Sequence, residues 1–158
     1  MMEYERTGIL RPDEIPIPSE DRLRRGPVAI FECPQEIPCN PCVDSCPVGA
    51  VSMENINSPP IVDYDKCIGC AQCLRVCPGL AIFLIDLSKG DHAHITIPYE
   101  FLPLPKEGDM VDGLSRDGKP ICKAKVVRVL LSDEGTNLVT IEVPKELFMD
   151  VRNIRVRK

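Results

Sequence analysis

Apolar positions fall in short alternating or continuous runs bounded by proline, glycine, asparagine and aspartate, and no run holds a helical period for long. This pattern predicts strands at 28–31, 50–53, 61–63 and 81–87, with residues 55–60 turning the chain between the second and third. Short helical turns are predicted at 41–45 and 71–76. From residue 88 the pattern changes to strands at 94–97, 110–114, 120–131, 138–143 and 152–156. Arg116-Asp117-Gly118-Lys119 is expected as a tight hairpin turn and Pro144 as the start of a helical turn. Residues 1–26 are broken by Pro12, Pro16 and Pro18 and read as an extended arm. It is either a disordered terminus or a strap on another subunit, with Ile9, Leu10, Ile15 and Ile17 as anchors. Ser19 can cap a short helix with Glu20 and Asp21 in its first turn. Three segments follow: an arm at 1–26, an α+β module at 27–87, and a small antiparallel β-barrel at 88–158 that would serve as a docking domain.

The middle segment is an internal repeat. Cys67-Ile-Gly-Cys70-Ala-Gln-Cys73-Leu-Arg-Val-Cys77-Pro78 has the C-x2-C-x2-C-x3-C-P spacing that wraps a cubane iron–sulfur cluster. Gly69 lets the loop backbone approach the cluster closely. A shift of 31 residues places Cys39 on Cys70, Cys42 on Cys73, Cys46 on Cys77 and Pro47 on Pro78. Only the first ligand breaks register: Glu36 stands opposite Cys67, and Cys33 lies three residues earlier. Zinc is the ordinary alternative for paired cysteines, but three at x2 spacing with a fourth before proline suit four cubane corners better. Disulfides have no support in a chain whose cysteines form such triplets without a signal peptide.

These motifs, with the Ile-Val-Asp-Tyr-Asp-Lys lead-in to Cys67, resemble the bacterial two-cluster ferredoxins over about residues 26–87. The resemblance implies two [4Fe-4S] clusters in a pseudo-two-fold fold. Cys67, Cys70, Cys73 and Cys46 would hold one; Cys39, Cys42, Cys77 and a fourth ligand would hold the other. Cys33 is assigned as that fourth ligand, with Pro34 and Pro38 stiffening the detour; a three-iron cluster or a non-cysteine ligand is the alternative. Val43, Val48, Ile68, Val76 and Ile82 are expected to pack against the clusters.

Charge sharpens this reading. The chain of 158 residues carries a formal net charge of −5, all of it within residues 27–87, since the flanks cancel. Two oxidised cubanes at about −2 each would bring that module to about −9, which disfavours nucleic acid and favours a positively charged docking face. The same surroundings predict low-potential centres. With no apolar run of membrane-spanning length and no targeting segment, a cytoplasmic location is expected.

The remaining candidates are weaker. Cys122 has no place in the repeat and reads as a small apolar core residue. His92 and His94 read as solvated strand residues, and Arg152, Arg155, Arg157 and Lys158 as a solvated basic tail. No catalytic motif is present, so the expected function is electron carriage. A cluster used as a redox sensor and direct catalysis at the displaced site are the other classes. The arm ending Arg-Gly-Pro-Val-Ala, the Glu-Cys-Pro-Gln-Glu-Ile-Pro-Cys start and the trailing β-segment are similar to the small ferredoxin subunits of flavin-dependent amino-acid or amine dehydrogenases of the proline and hydroxyproline type. That resemblance implies a hetero-oligomer in which a flavin on a partner subunit feeds the clusters; a free, diffusing ferredoxin is the runner-up.

Overall fold

The computed structural model describes residues 3–133 and 136–156. The module that carries the cysteines is formed by β1 (Val28–Phe31), α3 (Pro41–Ser45), β2 (Val51–Ser52), β3 (Ile61–Val62), α4 (Gln72–Val76) and β4 (Ile82–Asp86). β1 pairs with β4 and β2 with β3, both antiparallel, so the two halves are related by the expected pseudo-two-fold. Proline follows Cys46 and Cys77 and pushes each out of helical geometry. The two helices accordingly end at near-identical backbone angles, φ −75° and ψ 114° at Cys46, φ −70° and ψ 113° at Cys77.

The later strands are β5 (His92–Tyr99), β6 (Met110–Leu114), β7 (Pro120–Leu130), β8 (Asn137–Pro144) and β9 (Asn153–Arg155). They do not form a closed barrel of their own. β4 pairs with β5, and a single antiparallel sheet runs in the order β1-β4-β5-β8-β7-β6-β9. The alternation of side chains explains how one sheet serves two cores. Val28, Ile30, Phe83 and Ile85 point to one face, where they meet Ile95, Ile97, Val126, Ile141 and Ile154. Ala29, Phe31 and Ile82 point to the other, where they meet Leu74 of α4 and the cysteine helices.

Edge strands β1 and β9 share no ladder among the described residues, and side chains bridge them instead. Glu32, the residue after β1, accepts from Arg116 at 2.7 and 2.9 Å and from Arg152 at 2.8 Å. Its side chain is 7% exposed and that of Arg152 6%. Arg152 also lies 5.0 Å from the Phe83 ring centroid and donates to the carbonyls of Phe148 and Val151. Arg152 is therefore an interior cation, not part of a solvated tail; Arg155 is exposed, and Arg157 and Lys158 lie outside the described residues.

The N-terminal segment also differs from an extended arm. It holds α1 (Glu3–Thr7), a 3-10 turn (Pro12–Glu14) and α2 (Glu20–Arg25), which Ser19 caps by accepting from the Arg22 amide at 3.2 Å. Ile15 and Leu23 are buried in this chain's own core, Leu10 packs beside it, and Ile17 stays exposed. Arg22 fastens α2 to the module through four backbone carbonyls. Helical turns are possible here because Pro16 and Pro18 lie between the short helices and Pro12 takes the first position of its turn, where no amide is needed.

Cys122 behaves as a packing residue: a Cβ built at Gly113 would stand 2.7 Å from its Sγ, so the thiol fills the space left by the glycine. His94 is not simply solvated, since its Nε2 lies 3.0 Å from a Glu142 carboxylate oxygen across the β5–β8 pair. That hydrogen bond holds the Glu142 carboxyl below its ordinary range.

Three changes test this packing. Glu32→Ala leaves two buried guanidinium groups without their shared carboxylate and is expected to cost about 3–5 kcal/mol in denaturant unfolding. Removal of the exposed Arg24–Glu20 pair should stay within about 0.5 kcal/mol. Gly69 has φ 70°, and a Cβ there would meet the Pro27 carbonyl oxygen at 2.6 Å. Gly69→Ala should therefore cost about 2 kcal/mol or more.

Candidate iron–sulfur centre

Eight of the nine cysteines surround two cavities. Cys33, Cys39, Cys42 and Cys77 line the first, and Cys46, Cys67, Cys70 and Cys73 line the second. Cys46 and Cys77 each leave their own half of the repeat and enter the cavity of the other. The crossing follows from the backbone: an extended residue at the end of a short helix directs its side chain away from that helix's preceding loop. Cys33 reaches the same cavity as Cys39, Cys42 and Cys77, although it lies outside the repeat register.

The rest of each lining is largely apolar. Phe31 is common to both, with Met53, Pro60 and Ile82 in the first and Val51, Val62 and Leu84 in the second. No histidine or carboxylate appears in either lining. Among the described residues, no three histidine, cysteine, aspartate or glutamate side chains converge on a position for one metal ion. Thiols arranged around a volume, not around a point, fit a soft multi-iron cluster better than a tetrahedral zinc ion.

The electrostatics agree with a group that brings its own positive charge. Burial pushes the Cys42 thiol up to about 11, and the neighbouring Cys77, Cys39 and Cys33 sulfurs add to the shift. Burial pushes Cys73 up to about 12, helped by Cys67, Cys70 and, from the other cavity, Cys42. Cys33 is raised by burial and then by Cys77 and Cys39. Iron bound by such a set would neutralise the thiolates that burial disfavours. At Cys46 burial also opposes ionisation, but the amides of Val48, Ala50, Val51 and Gly49 outweigh it and hold the thiol below its ordinary range. The repeat preserves one of these contacts, since the Ala50 amide donates to Cys46 Sγ at 3.3 Å and the Ala81 amide to Cys77 Sγ at 3.4 Å.

Of the apolar residues expected around the sulfurs, Ile82 is buried, Val43 is partly buried, and Val48 and Ile68 line the second cavity at its open rim. Val76 is 42% exposed and lines neither cavity, because its position at the end of α4 turns it outward from Leu74, the residue that faces the sheet. Sequence reasoning missed the charged residues around the module: Arg22, whose guanidinium reaches the Cys67 carbonyl, and Glu32 with its two arginines. The only local signal was the place of Glu32 directly before Cys33.

A family profile described as the 4Fe-4S dicluster domain matches residues 37–82. Among curated relatives, an uncharacterised ferredoxin of Methanocaldococcus jannaschii is 35% identical over 140 residues, covering 86% of this chain and 79% of that ferredoxin. The polyferredoxin-like subunit of an aliphatic sulfonate oxidoreductase from Pyrococcus furiosus is 36% identical over 83 residues, 47% of this chain and 46% of its own. A translation initiation factor of Saccharomyces cerevisiae is 30% identical over 127 residues, 73% of this chain but 20% of its own length. The chain thus spans less than half of these last two relatives. No solved structure matches it. With thiol-lined cavities in place and a relative matched at this identity over most of both chains, the chain belongs to the [4Fe-4S] ferredoxins, iron–sulfur proteins that transfer electrons.

Proposed function

We propose that the protein is an electron-transfer subunit with two [4Fe-4S] clusters, one on Cys33, Cys39, Cys42 and Cys77 and the other on Cys67, Cys70, Cys73 and Cys46. The observation that carries this reading is the sorting of eight thiols into two sets of four, each including one cysteine from the opposite half of the repeat. Each cubane, when bound, accepts and releases one electron at a time. The chain's part is to fix and insulate them. Apolar side chains line both sulfur sets, the Ala50 and Ala81 amides donate to Cys46 and Cys77, and the β1–β4 pair holds the two halves in register. Four thiols at each site leave no iron position for a substrate, so catalysis at the displaced Cys33 site is the weaker reading.

The partner in this proposal is a flavin-dependent dehydrogenase of the amino-acid or amine class, whose reduced flavin gives up electrons singly to the clusters. The flavin rests on the resemblance of the arm and trailing strands to such subunits. Membership of an oxidoreductase complex is supported by relatives described as subunits of a sulfite dehydrogenase and of an aliphatic sulfonate oxidoreductase. A cytoplasmic site is part of the same proposal; no helix among the described residues is long and apolar enough to cross a membrane.

Iron analysis tests the ligand sets. Cys33→Ser should lose or convert only the cluster on Cys39, Cys42 and Cys77 and keep about four irons, whereas Cys46→Ser should damage the one on Cys67, Cys70 and Cys73. Eight irons retained in Cys33→Ser would remove that residue from the set. The partner is tested by purifying the tagged protein anaerobically from its native host. A stoichiometric flavoprotein is expected; a lone 17.6 kDa species that serves unrelated reductases would establish the free-ferredoxin alternative.

A further inference from the structure

Arg22 is a buried cation, 7% exposed, whose guanidinium meets only backbone carbonyls. Nε donates to Tyr64 O at 2.6 Å, Nη1 to Gly26 O at 3.1 Å, and Nη2 to Pro27 O at 3.1 Å and Cys67 O at 2.8 Å. No carboxylate lies within ion-pair distance of it among the described residues. A buried charge with only dipoles around it is poorly compensated. Cys67 both accepts from Nη2 and contributes its thiol to the second cavity, so the guanidinium lies beside that thiol set.

The first cavity has a different neighbourhood. There the ionic group beside the thiols is the Glu32 carboxylate, which lines the adjoining cleft with Cys33, Cys39 and Cys77. Arg116 and Arg152 neutralise it from behind, and neither lines that cleft. The Cys67 loop of one site therefore holds a lone positive charge against its backbone, and the other site adjoins a carboxylate already paired. Each set holds four thiols, but the buried ions beside the two sets differ.

We propose that Arg22 is the charge-balancing residue of the cluster on Cys67, Cys70, Cys73 and Cys46, and makes that cluster the more easily reduced of the two. The inference rests on the electron-carrier reading above. Reduction by an external one-electron donor adds one electron and no proton to the thiolate-bound cubane, so its charge falls by one unit. A fixed cation close by stabilises the reduced form more than the oxidised form, and burial protects the interaction from salt. Arg22 is a positioning residue in this scheme: it exchanges no electron itself. A purely mechanical clamp would affect iron retention or unfolding but would leave the reduction equilibrium where it was.

The test is an anaerobic reductive titration of the full chain with dithionite, followed by paramagnetic resonance. Cys33→Ser serves to assign each signal. In Arg22→Gln the Cys67-side cluster should become about tenfold harder to reduce, which is 59 mV for one electron, while the other changes less than threefold. Arg22→Lys, which keeps the charge, should titrate like the wild type. An unshifted Arg22→Gln with both clusters in place overturns the proposal, as does an equal shift in Arg22→Lys, which would mean that the planar fork and not the charge matters. If Arg22→Gln fails to retain the Cys67-side irons, the order in the wild type decides: reduction of that cluster first supports the proposal, and reduction of the other first overturns it. A wild-type protein that holds no cubane would overturn the carrier reading itself, and that outcome is distinct from every arm of the Arg22 test.

Discussion

The carboxylate of Glu32 between two guanidinium groups is the contact on which the rest of the structure depends. It stands where the sheet has run out of backbone pairing, at the open side between β1 and β9. A sheet edge left without cover exposes its core to water. Here Arg152 shields Phe83 and Arg116 donates to the Met149 carbonyl, so the ion cluster fastens chain segments from three parts of the sequence. Because Glu32 adjoins Cys33, the same contact fixes the start of the loop that leaves the repeat register. A buried ion pair of this kind is weak evidence for stability, since desolvation opposes it, but it specifies one arrangement strongly.

The crossing of Cys46 and Cys77 has a consequence for how the halves behave. Each cavity needs backbone from both repeats, so neither half can complete its thiol set alone. The binding free energy of a metal cluster is then shared between halves that the β1–β4 and β2–β3 pairs bring together. This suits a module with little apolar core of its own. On the cysteine side Leu74 and Ile82 are fully enclosed, and Leu74 joins Leu138 of β8 in the cluster on the long sheet's second face. The later strands thus do more than decorate the ferredoxin module: they supply the floor on which α4 lies.

Much of this was legible in the chain. The strands and helical turns of residues 28–86 follow from period and punctuation, and the 31-residue offset announces the pseudo-two-fold. The continuity of the sheet was not legible. A border expected after residue 87 is crossed by the pairing of Leu84 with Thr96, and nothing local distinguishes a strand that pairs backward from one that begins a new domain. Arg152 was misplaced for a similar reason. Its carboxylate lies 120 positions away, a separation with no periodic signature, and a run of arginines near a terminus ordinarily reads as solvated. The N-terminal arm was misjudged because prolines mark where helices stop but do not say whether the pieces between them find a core.

Charge operates here on two scales, and they act in opposite directions. The net charge of −5 acts through solvent, where it is screened within about a Debye length and shapes which partner approaches. Buried arginines act over a few ångströms without that screening. Arg22 lies against the loop of one thiol set and the Glu32 carboxylate, paired by Arg116 and Arg152, beside the other, while the surplus acids Asp44, Glu54, Asp63 and Asp65 are exposed. An acidic exterior therefore does not impose a uniformly anionic environment on the sulfurs. Exterior charge acts on approach at long range, whereas the Arg22 cation acts at hydrogen-bond distance on the loop of Cys67.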